Sequence, residues 1–123
     1  MTEPVILIVD DDDELRMIYR QTLERAGFAV SEANDGSTAI QSIAQSIPDV
    51  IILDMMMPNV PGTGVLKYLE RDAKFQDVYL IVITAYPHYR DSALSHNVDQ
   101  FLTKPVRPSD VVNAVKQGLE DSA

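Results

Sequence analysis

The chain has 123 residues, of which 10 are Lys or Arg and 19 are Asp or Glu, so its formal net charge is −9. With 46 % hydrophobic residues it is too apolar for a disordered chain, and its length suits one domain with a single core. The absence of cysteine excludes disulfides, thiolate metal sites and a cysteine nucleophile. The acidic balance argues against direct binding to nucleic acid, which needs clustered Lys and Arg.

The apolar segments are too short to cross a bilayer. The longest, at residues 5–9 and 78–83, fall far below the roughly 18 residues that a spanning helix needs. Residues 1–4 show neither the basic nor the apolar segment of a secretion signal. We therefore expect a cytoplasmic protein whose partner is another protein or a cation.

Two kinds of apolar pattern alternate along the chain. Short continuous apolar runs, typical of strands buried on both faces, predict strands at residues 5–9, 28–30, 50–53, 78–83 and 100–103. Apolar residues at helical spacing predict helices at residues 15–26, 39–47, 65–69, 87–95 and 111–119. Five such strand–helix units predict an α/β fold, in which helices cover both faces of a five-stranded parallel sheet. This arrangement is a flavodoxin-like, doubly wound (βα)5 three-layer sandwich.

Polar residues follow or end four of the predicted strands. The first strand ends in Asp10 and Asp11, the third in Asp54, the fourth in Thr84 and the fifth in Lys104. Ligands of such sheets bind at the carboxyl ends of the strands. We therefore expect these five side chains to form one site.

Three carboxylates in one site repel each other, by about 4 kcal/mol for two unit charges 4 Å apart at a surface-like dielectric. A hard divalent cation with oxygen ligands would neutralise them. Mg²⁺ held by one or two carboxylates keeps a coordination position for a phosphoryl oxygen. The sequence therefore predicts a magnesium site in which a carboxylate attacks phosphorus to form an aspartyl phosphate, with Lys104 and Thr84 at phosphoryl oxygens.

Each of these residues also has an ordinary structural interpretation. Asp often ends a strand and begins a turn, Thr favours strands, and Lys is usually solvated. Acids in the first turn of a helix interact favourably with its dipole, which is the better explanation for Asp12, Asp13 and Glu14. The functional interpretation therefore depends on the joint placement of the other polar residues at the strand ends.

Four short motifs together resemble the receiver domain of two-component response regulators. They are VDD at residues 9–11, LDMMMP at 53–58, ITA at 83–85 and FLTKP at 101–105. The resemblance runs from about residue 5 to residue 119, and its specificity lies in the order of the four motifs. It implies one receiver domain over residues 1–123, with no output domain in this chain.

The resemblance implies that Asp54 accepts a phosphoryl group from the phosphohistidine of a sensor histidine kinase, or from a phosphotransfer protein. Thr84 and Lys104 would then hold the phosphoryl oxygens. The protein ligands of Mg²⁺, for which Mn²⁺ is an alternative, would be Asp10, Asp11, Asp54 and the backbone carbonyl of Met56.

The resemblance also implies a conformational switch. Thr84 and the aromatic Phe101 would move together on phosphorylation, and the Lys104–Pro105 peptide bond would be cis. The reporting surface in the family comprises the fourth helix, the fifth strand and the fifth helix, here residues 86–97 and 100–120. This surface would contact a downstream protein or a missing output domain, or would form a homodimer. Neither nucleic acid nor a membrane is a direct partner in this interpretation.

Three alternatives use parts of the same observations. A phosphatase of the haloacid dehalogenase-like type needs a second acid two residues after its nucleophile, where this chain has Met56. A flavodoxin-like cofactor binder or a dinucleotide domain needs a phosphate loop after the first strand, where the acids at 10–14 would repel a phosphate. A constitutive adaptor stays open, although the intact set of site residues argues against it.

We interpret the chain as a phosphoacceptor signalling module rather than an enzyme, with Mg²⁺-dependent self-phosphorylation and slow self-dephosphorylation.

Overall fold

The computed structural model describes residues 3–57, 60–89 and 96–121. The strands are β1 (Val5–Val9), β2 (Ala29–Ala33), β3 (Val50–Leu53), β4 (Tyr79–Thr84) and β5 (Gln100–Thr103). The α-helices of the described residues are α1 (Asp13–Arg25), α2 (Gly36–Gln45), α3 (Gly62–Glu70) and α4 (Pro108–Asp121). Short 3-10 turns lie at Ala73–Phe75 and Pro87–Tyr89. The predicted helix at 87–95 lies largely outside the described residues and has no label here. The label α4 therefore belongs to the helix that was predicted at residues 111–119.

All five strands pair in parallel, in the order β2-β1-β3-β4-β5. The chain moves outward from β1 to β2, then returns across β1 and continues through β3 and β4 to β5. Helices α1 and α4 cover one face of the sheet, and α2 and α3 cover the other. The prediction of a doubly wound parallel α/β sandwich is confirmed.

Two apolar cores flank the sheet because successive strand residues point to opposite faces. The core beneath α2 and α3 includes Leu7, Ile43, Ile51, Leu66 and Val82. The core beneath α1 and α4 includes Ile6, Leu23, Ile52, Ile81 and Val115. The strands β3 and β4 are buried along their whole length, and β1 along all but its first residue. Their central position in the sheet explains why their sequences are continuously apolar.

The element boundaries differ from the predicted ones where polar residues or glycines continue a regular structure. Strand β2 extends through Ser31 and Glu32, which an edge strand tolerates because water reaches it. Helix α3 begins at Gly62, before the apolar pattern that predicted it. Asp12 caps α1 by accepting the backbone N–H groups of Glu14 and Leu15 at 3.0 and 3.1 Å. The interpretation of the acids that follow Asp11 as the start of a helix is thus confirmed.

Among the described segments, no helix is both long enough and apolar enough to span a bilayer.

Asn97 adopts the left-handed backbone conformation, with φ of 60°, in the turn before β5. Asn tolerates this region better than most residues, whereas β-branched side chains are strained there. We expect Asn97→Val to lower the free energy of unfolding by about 1–2 kcal/mol, and Asn97→Gly to leave it unchanged or raise it slightly. Urea denaturation of the three chains at neutral pH measures this effect. Equal stability of the Val and Gly variants would contradict it.

Candidate functional site

The carboxyl ends of β1 and β3 lie side by side at the centre of the sheet. Val9 is in register with Leu53, and the Asp54 N–H donates to the Val9 carbonyl at 2.9 Å. Asp10 and Asp54 therefore leave the sheet together, and both are buried, whereas Asp11 is exposed. Each of these three acids has a carboxylate oxygen within 4.8 Å of such an oxygen on the other two. The structure thus brings the three predicted acids into one cluster.

Lys104 places its ammonium between the two buried carboxylates. Its Nζ donates to Asp10 Oδ2 at 3.1 Å and to Asp54 Oδ2 at 3.0 Å. The side chains are 17 % exposed for Lys104, 4 % for Asp10 and 8 % for Asp54. The cluster contains three carboxylates and one ammonium, so it keeps an excess of negative charge.

The pKa directions of this cluster follow from burial and charge. Burial raises the pKa of Asp10 above its ordinary value of 3.8, although the Asp12 N–H and the Lys104 charge act to lower it. Burial acts to lower the pKa of Lys104, but its hydrogen bond to Asp54 and the charge of Asp10 outweigh this effect. The pKa of Lys104 therefore lies above its ordinary value of 10.5. The burial of Asp10 and the pairing of Lys104 with two buried acids thus account for the two directions.

Backbone N–H groups hold the other oxygens of the two buried carboxylates. Asp10 Oδ1 accepts the Asp12 N–H at 2.9 Å, and Asp54 Oδ1 accepts the Met56 N–H at 3.1 Å. Such bonds two residues along the chain are typical of Asp at the start of a turn. They fix the rotation of each carboxylate. The resulting set of oxygen donors with excess negative charge fits a hard divalent cation such as Mg²⁺.

The remaining predicted site residues lie at the same edge of the sheet or pack beneath it. Thr84 ends β4, between β3 and β5, and is fully buried, and its hydroxyl oxygen accepts the Tyr86 N–H at 3.3 Å. Phe101 is half-buried and packs against the core beneath α2 and α3. The peptide bond between Lys104 and Pro105 is cis, which is the isomer that the resemblance implied. The roles of Thr84 and Phe101 in switching, and of the Met56 carbonyl as a ligand, stay predictions.

Two residues that support the site were not found by sequence reasoning. A Cβ added at Gly62 would lie 2.6 Å from Met55 Cα and 2.8 Å from the Asp54 carbonyl oxygen, so α3 begins this close to the Asp54 turn only because residue 62 is glycine. Arg16 donates to the Asp10 carbonyl oxygen at 2.7 Å. Its spacing of three residues from an acid on α1 was the only signal available, and that spacing is common on helices.

Comparison with known protein families identifies the architecture around this site. A family model described as the response regulator receiver domain matches residues 6–116. The probable transcriptional regulator ycf27 of Guillardia theta is 36 % identical over 120 residues, which are 96 % of this chain and 46 % of that protein. The chain spans about half the length of the curated relatives it matches.

Solved structures agree with the family match. A response regulator receiver domain protein (CheY-like) from Methanospirillum hungatei superposes with a TM-score of 0.90 at 27 % identity, covering 98 % of this chain and 97 % of that one. The response regulator TrrA from Thermotoga maritima, solved in complex with Mg²⁺-BeF, superposes with a TM-score of 0.83 at 29 % identity. The match covers 94 % of this chain and 98 % of that one. Sequence, fold and the acidic cluster lead to one conclusion: this chain belongs to the response regulator receiver domain family of two-component signalling.

Proposed function

We propose that this chain receives a phosphoryl group on Asp54 in a Mg²⁺-dependent reaction and passes the signal on through a change in its surface. The observation that carries the proposal is the position of the Lys104 ammonium, which bridges Asp10 and Asp54 beside Asp11. This arrangement offers a nucleophile, a cation for phosphoryl oxygens and acids for a metal ion.

The metal ligands in this proposal are the three clustered acids and one backbone carbonyl, namely Asp10, Asp11, Asp54 and Met56. Bound Mg²⁺, or Mn²⁺ as an alternative, would supply positive charge to the carboxylates and to the incoming phosphoryl oxygens. The complex of TrrA with Mg²⁺-BeF supports this choice of ion.

Asp54 would act as the nucleophile. One carboxylate oxygen forms a bond to phosphorus while the bond from phosphorus to the donor nitrogen breaks, and that electron pair stays on the donor. The Met56 N–H fixes the orientation of the carboxylate. Hydrolysis reverses the modification when water attacks phosphorus, releasing inorganic phosphate and restoring the Asp54 carboxylate. The family is one of signalling domains rather than classical enzymes, and these two self-reactions are its proposed chemistry here.

Lys104 would neutralise the charge that accumulates on the phosphoryl oxygens. Its Nζ can exchange the Asp54 oxygen for a phosphoryl oxygen while it keeps its bond to Asp10, so little movement is needed. The Thr84 hydroxyl at the neighbouring strand end would donate to a second phosphoryl oxygen. Movement of Thr84 toward the phosphoryl group would be coupled to movement of Phe101. Thr84 and Phe101 would thus form the switch.

The proposed partners follow from the family. A sensor histidine kinase or a phosphotransfer protein would supply the phosphoryl group, and residues 1–123 would act as one cytoplasmic receiver domain. The output surface would comprise residues 86–97 and 100–120, of which 90–95 lie outside the described residues. It would contact a downstream protein, an output domain outside this chain or a second copy of the receiver, without direct contact to nucleic acid or a membrane. The ycf27 relative is named a transcriptional regulator and is about twice as long, which favours an output domain.

Intact-mass spectrometry tests the proposal. The wild-type chain, incubated with acetyl phosphate and Mg²⁺, is expected to gain one phosphoryl group, and Asp54→Asn is expected to gain none. Asp77→Asn, which alters an exposed acid at the opposite end of the sheet, is the matched control and should behave like wild type. A phosphoryl group on the Asp54→Asn chain, or modification that is unchanged when EDTA removes the metal, would refute the proposal.

A further inference from the structure

Arg16, in the first turn of α1, joins three elements through one guanidinium. Its Nη1 donates to the Asp10 carbonyl oxygen at 2.7 Å, and its Nη2 donates to Asp13 Oδ1 at 2.6 Å. Its Nε donates to Glu32 Oε1, on β2, at 2.9 Å. The side chain is only 14 % exposed. The end of β1, the start of α1 and an edge strand are thus held by a planar group whose donors are fixed relative to one another.

The turn that Arg16 closes contains Asp11. Arg16 donates to the carbonyl of Asp10, which precedes Asp11, and to the carboxylate of Asp13, which follows Asp11 on α1. The Asp10 N–H also donates to the Ala33 carbonyl at 3.2 Å. These bonds hold the Asp10 backbone on one side of Asp11 and the Asp13 side chain on the other, and they thereby limit the directions that the exposed Asp11 carboxylate can take.

Glu32 holds Arg16 in this position and is itself shared with a second arginine. Its Oε1 accepts from Arg16, and its Oε2 accepts from Arg20 Nη1. Arg20 also donates to Glu24 on α1 at 3.2 Å. Arg20 thus donates to two glutamates, whereas Arg16 also donates to the backbone of the Asp10 turn. The two arginines carry the same charge and share Glu32, which makes Arg20 a matched comparison.

We propose that Arg16 is a positioning residue for the cation site. Its guanidinium holds the turn between β1 and α1 so that the carboxylates of Asp10 and Asp11 face Asp54 at a separation that one divalent ion can bridge. The inference rests on the proposed function, because it takes Mg²⁺ as that ion. Residues that orient metal ligands in this indirect way typically change the metal affinity about 10- to 100-fold when they are removed.

The sign of the effect separates positioning from charge. Loss of a positive charge near an acidic cluster should by itself strengthen Mg²⁺ binding, because repulsion of the cation falls. Loss of positioning should weaken Mg²⁺ binding. A residue that only stabilises the fold should leave the Mg²⁺ affinity unchanged while it lowers the free energy of unfolding.

Titration of the full chain with Mg²⁺, followed by the NMR shifts of the Asp11 and Met56 amides, measures the affinity. We expect Arg16→Met to bind Mg²⁺ about 10-fold more weakly than wild type. Arg16→Lys keeps the charge but loses the planar group with its fixed set of donors. We expect it to bind Mg²⁺ roughly 3-fold more weakly than wild type. Arg20→Met should bind as tightly as wild type or slightly more tightly. Urea denaturation without metal reports the stability of each variant separately.

Wild-type Mg²⁺ affinity in both Arg16 variants would overturn the inference, whatever their stability. If Arg16→Met does not fold, Arg16→Lys decides alone, and an unchanged affinity in that variant overturns the inference. A wild-type chain that does not bind Mg²⁺ overturns the proposed function as well. The two failures are therefore distinguishable.

Discussion

Replacement of Lys104 by Met is expected to lower the free energy of unfolding of the metal-free chain by about 3 kcal/mol. It should also slow phosphorylation of Asp54 on the order of 100-fold, which is typical of losing one preorganised group at a developing charge. Lys104 is hydrogen-bonded to two buried carboxylates, so its removal leaves Asp10 and Asp54 without their cation. The stability loss lies at the low end for a broken buried pair because water still reaches Lys104 in part. Urea denaturation in EDTA and a mass-spectrometric time course with acetyl phosphate measure the two effects.

The same contact makes the stability depend on pH on the alkaline side. The pKa of Lys104 is higher in the folded chain than its ordinary value of 10.5. Its stabilising effect is therefore complete below pH 10.5 and is lost as the pH rises through the folded-state pKa. As the pH rises above 10.5, the free energy of unfolding of the wild-type chain should fall by more than that of Lys104→Met. Burial also raises the pKa of Tyr19, and the charge of Lys104 acts against that rise, so the same comparison in a Tyr19→Phe background isolates the titration of Lys104.

Two further variants identify the cause of the Lys104 effects. Lys116 is exposed on α4, and Lys116→Met should change the free energy of unfolding by no more than about 0.5 kcal/mol. Lys104→Arg keeps the charge but replaces the compact ammonium by a larger, planar guanidinium. Because Lys104→Met makes the cluster more negative, it should bind Mg²⁺ at least as tightly as wild type, which would place the phosphorylation defect at the phosphoryl oxygens. A Lys104→Met chain as stable as Lys116→Met would show that the buried acids do not need this ammonium.

The fold and the acidic cluster were predictable because both follow from patterns that are local in the sequence. The strands β1, β3 and β4 lie in the middle of the sheet and are apolar on both faces, so each appears as a continuous run. Parallel strands end at one edge, so residues at the strand ends meet without knowledge of any side-chain contact. Asp10, Asp54 and Lys104 are far apart in the chain, yet their meeting required only this rule.

Contacts that depend on how a helix or a turn is rotated against its neighbours were not predictable. Arg16 meets Glu32 because α1 packs over β1 and β2 in one particular orientation, and the spacing of 16 residues between them carries no signal. His96 has no motif around it, yet its Nδ1 lies 2.6 Å from Glu70 Oε1 and joins the end of α3 to the turn before β5. Both pairs link elements through side chains that are long enough to meet in many folds. Their specificity arises only when the whole sheet is assembled.

Mg²⁺ is expected to stabilise the wild-type chain by about 2.7 kcal/mol at a concentration 100 times its dissociation constant, because it binds the folded chain selectively. Asp11→Asn should lose most of this gain. A variant with 100-fold weaker affinity would keep only about 0.4 kcal/mol at the same Mg²⁺ concentration. Denaturation curves of both chains with and without Mg²⁺ measure the difference.

The sign of the Asp11→Asn effect should differ between the two conditions. Without metal, the exposed Asp11 carboxylate lies within 4.8 Å of those of Asp10 and Asp54, so neutralising it removes repulsion and should not lower the stability. With metal, the same substitution removes a proposed ligand, and the variant becomes the less stable chain. Glu14→Gln makes the same change in charge at an exposed acid in the first turn of α1, and it should keep the full response to Mg²⁺. Equal responses in the Asp11 and Glu14 variants would mean that general acidity, rather than a site built from the ends of β1 and β3, attracts the ion.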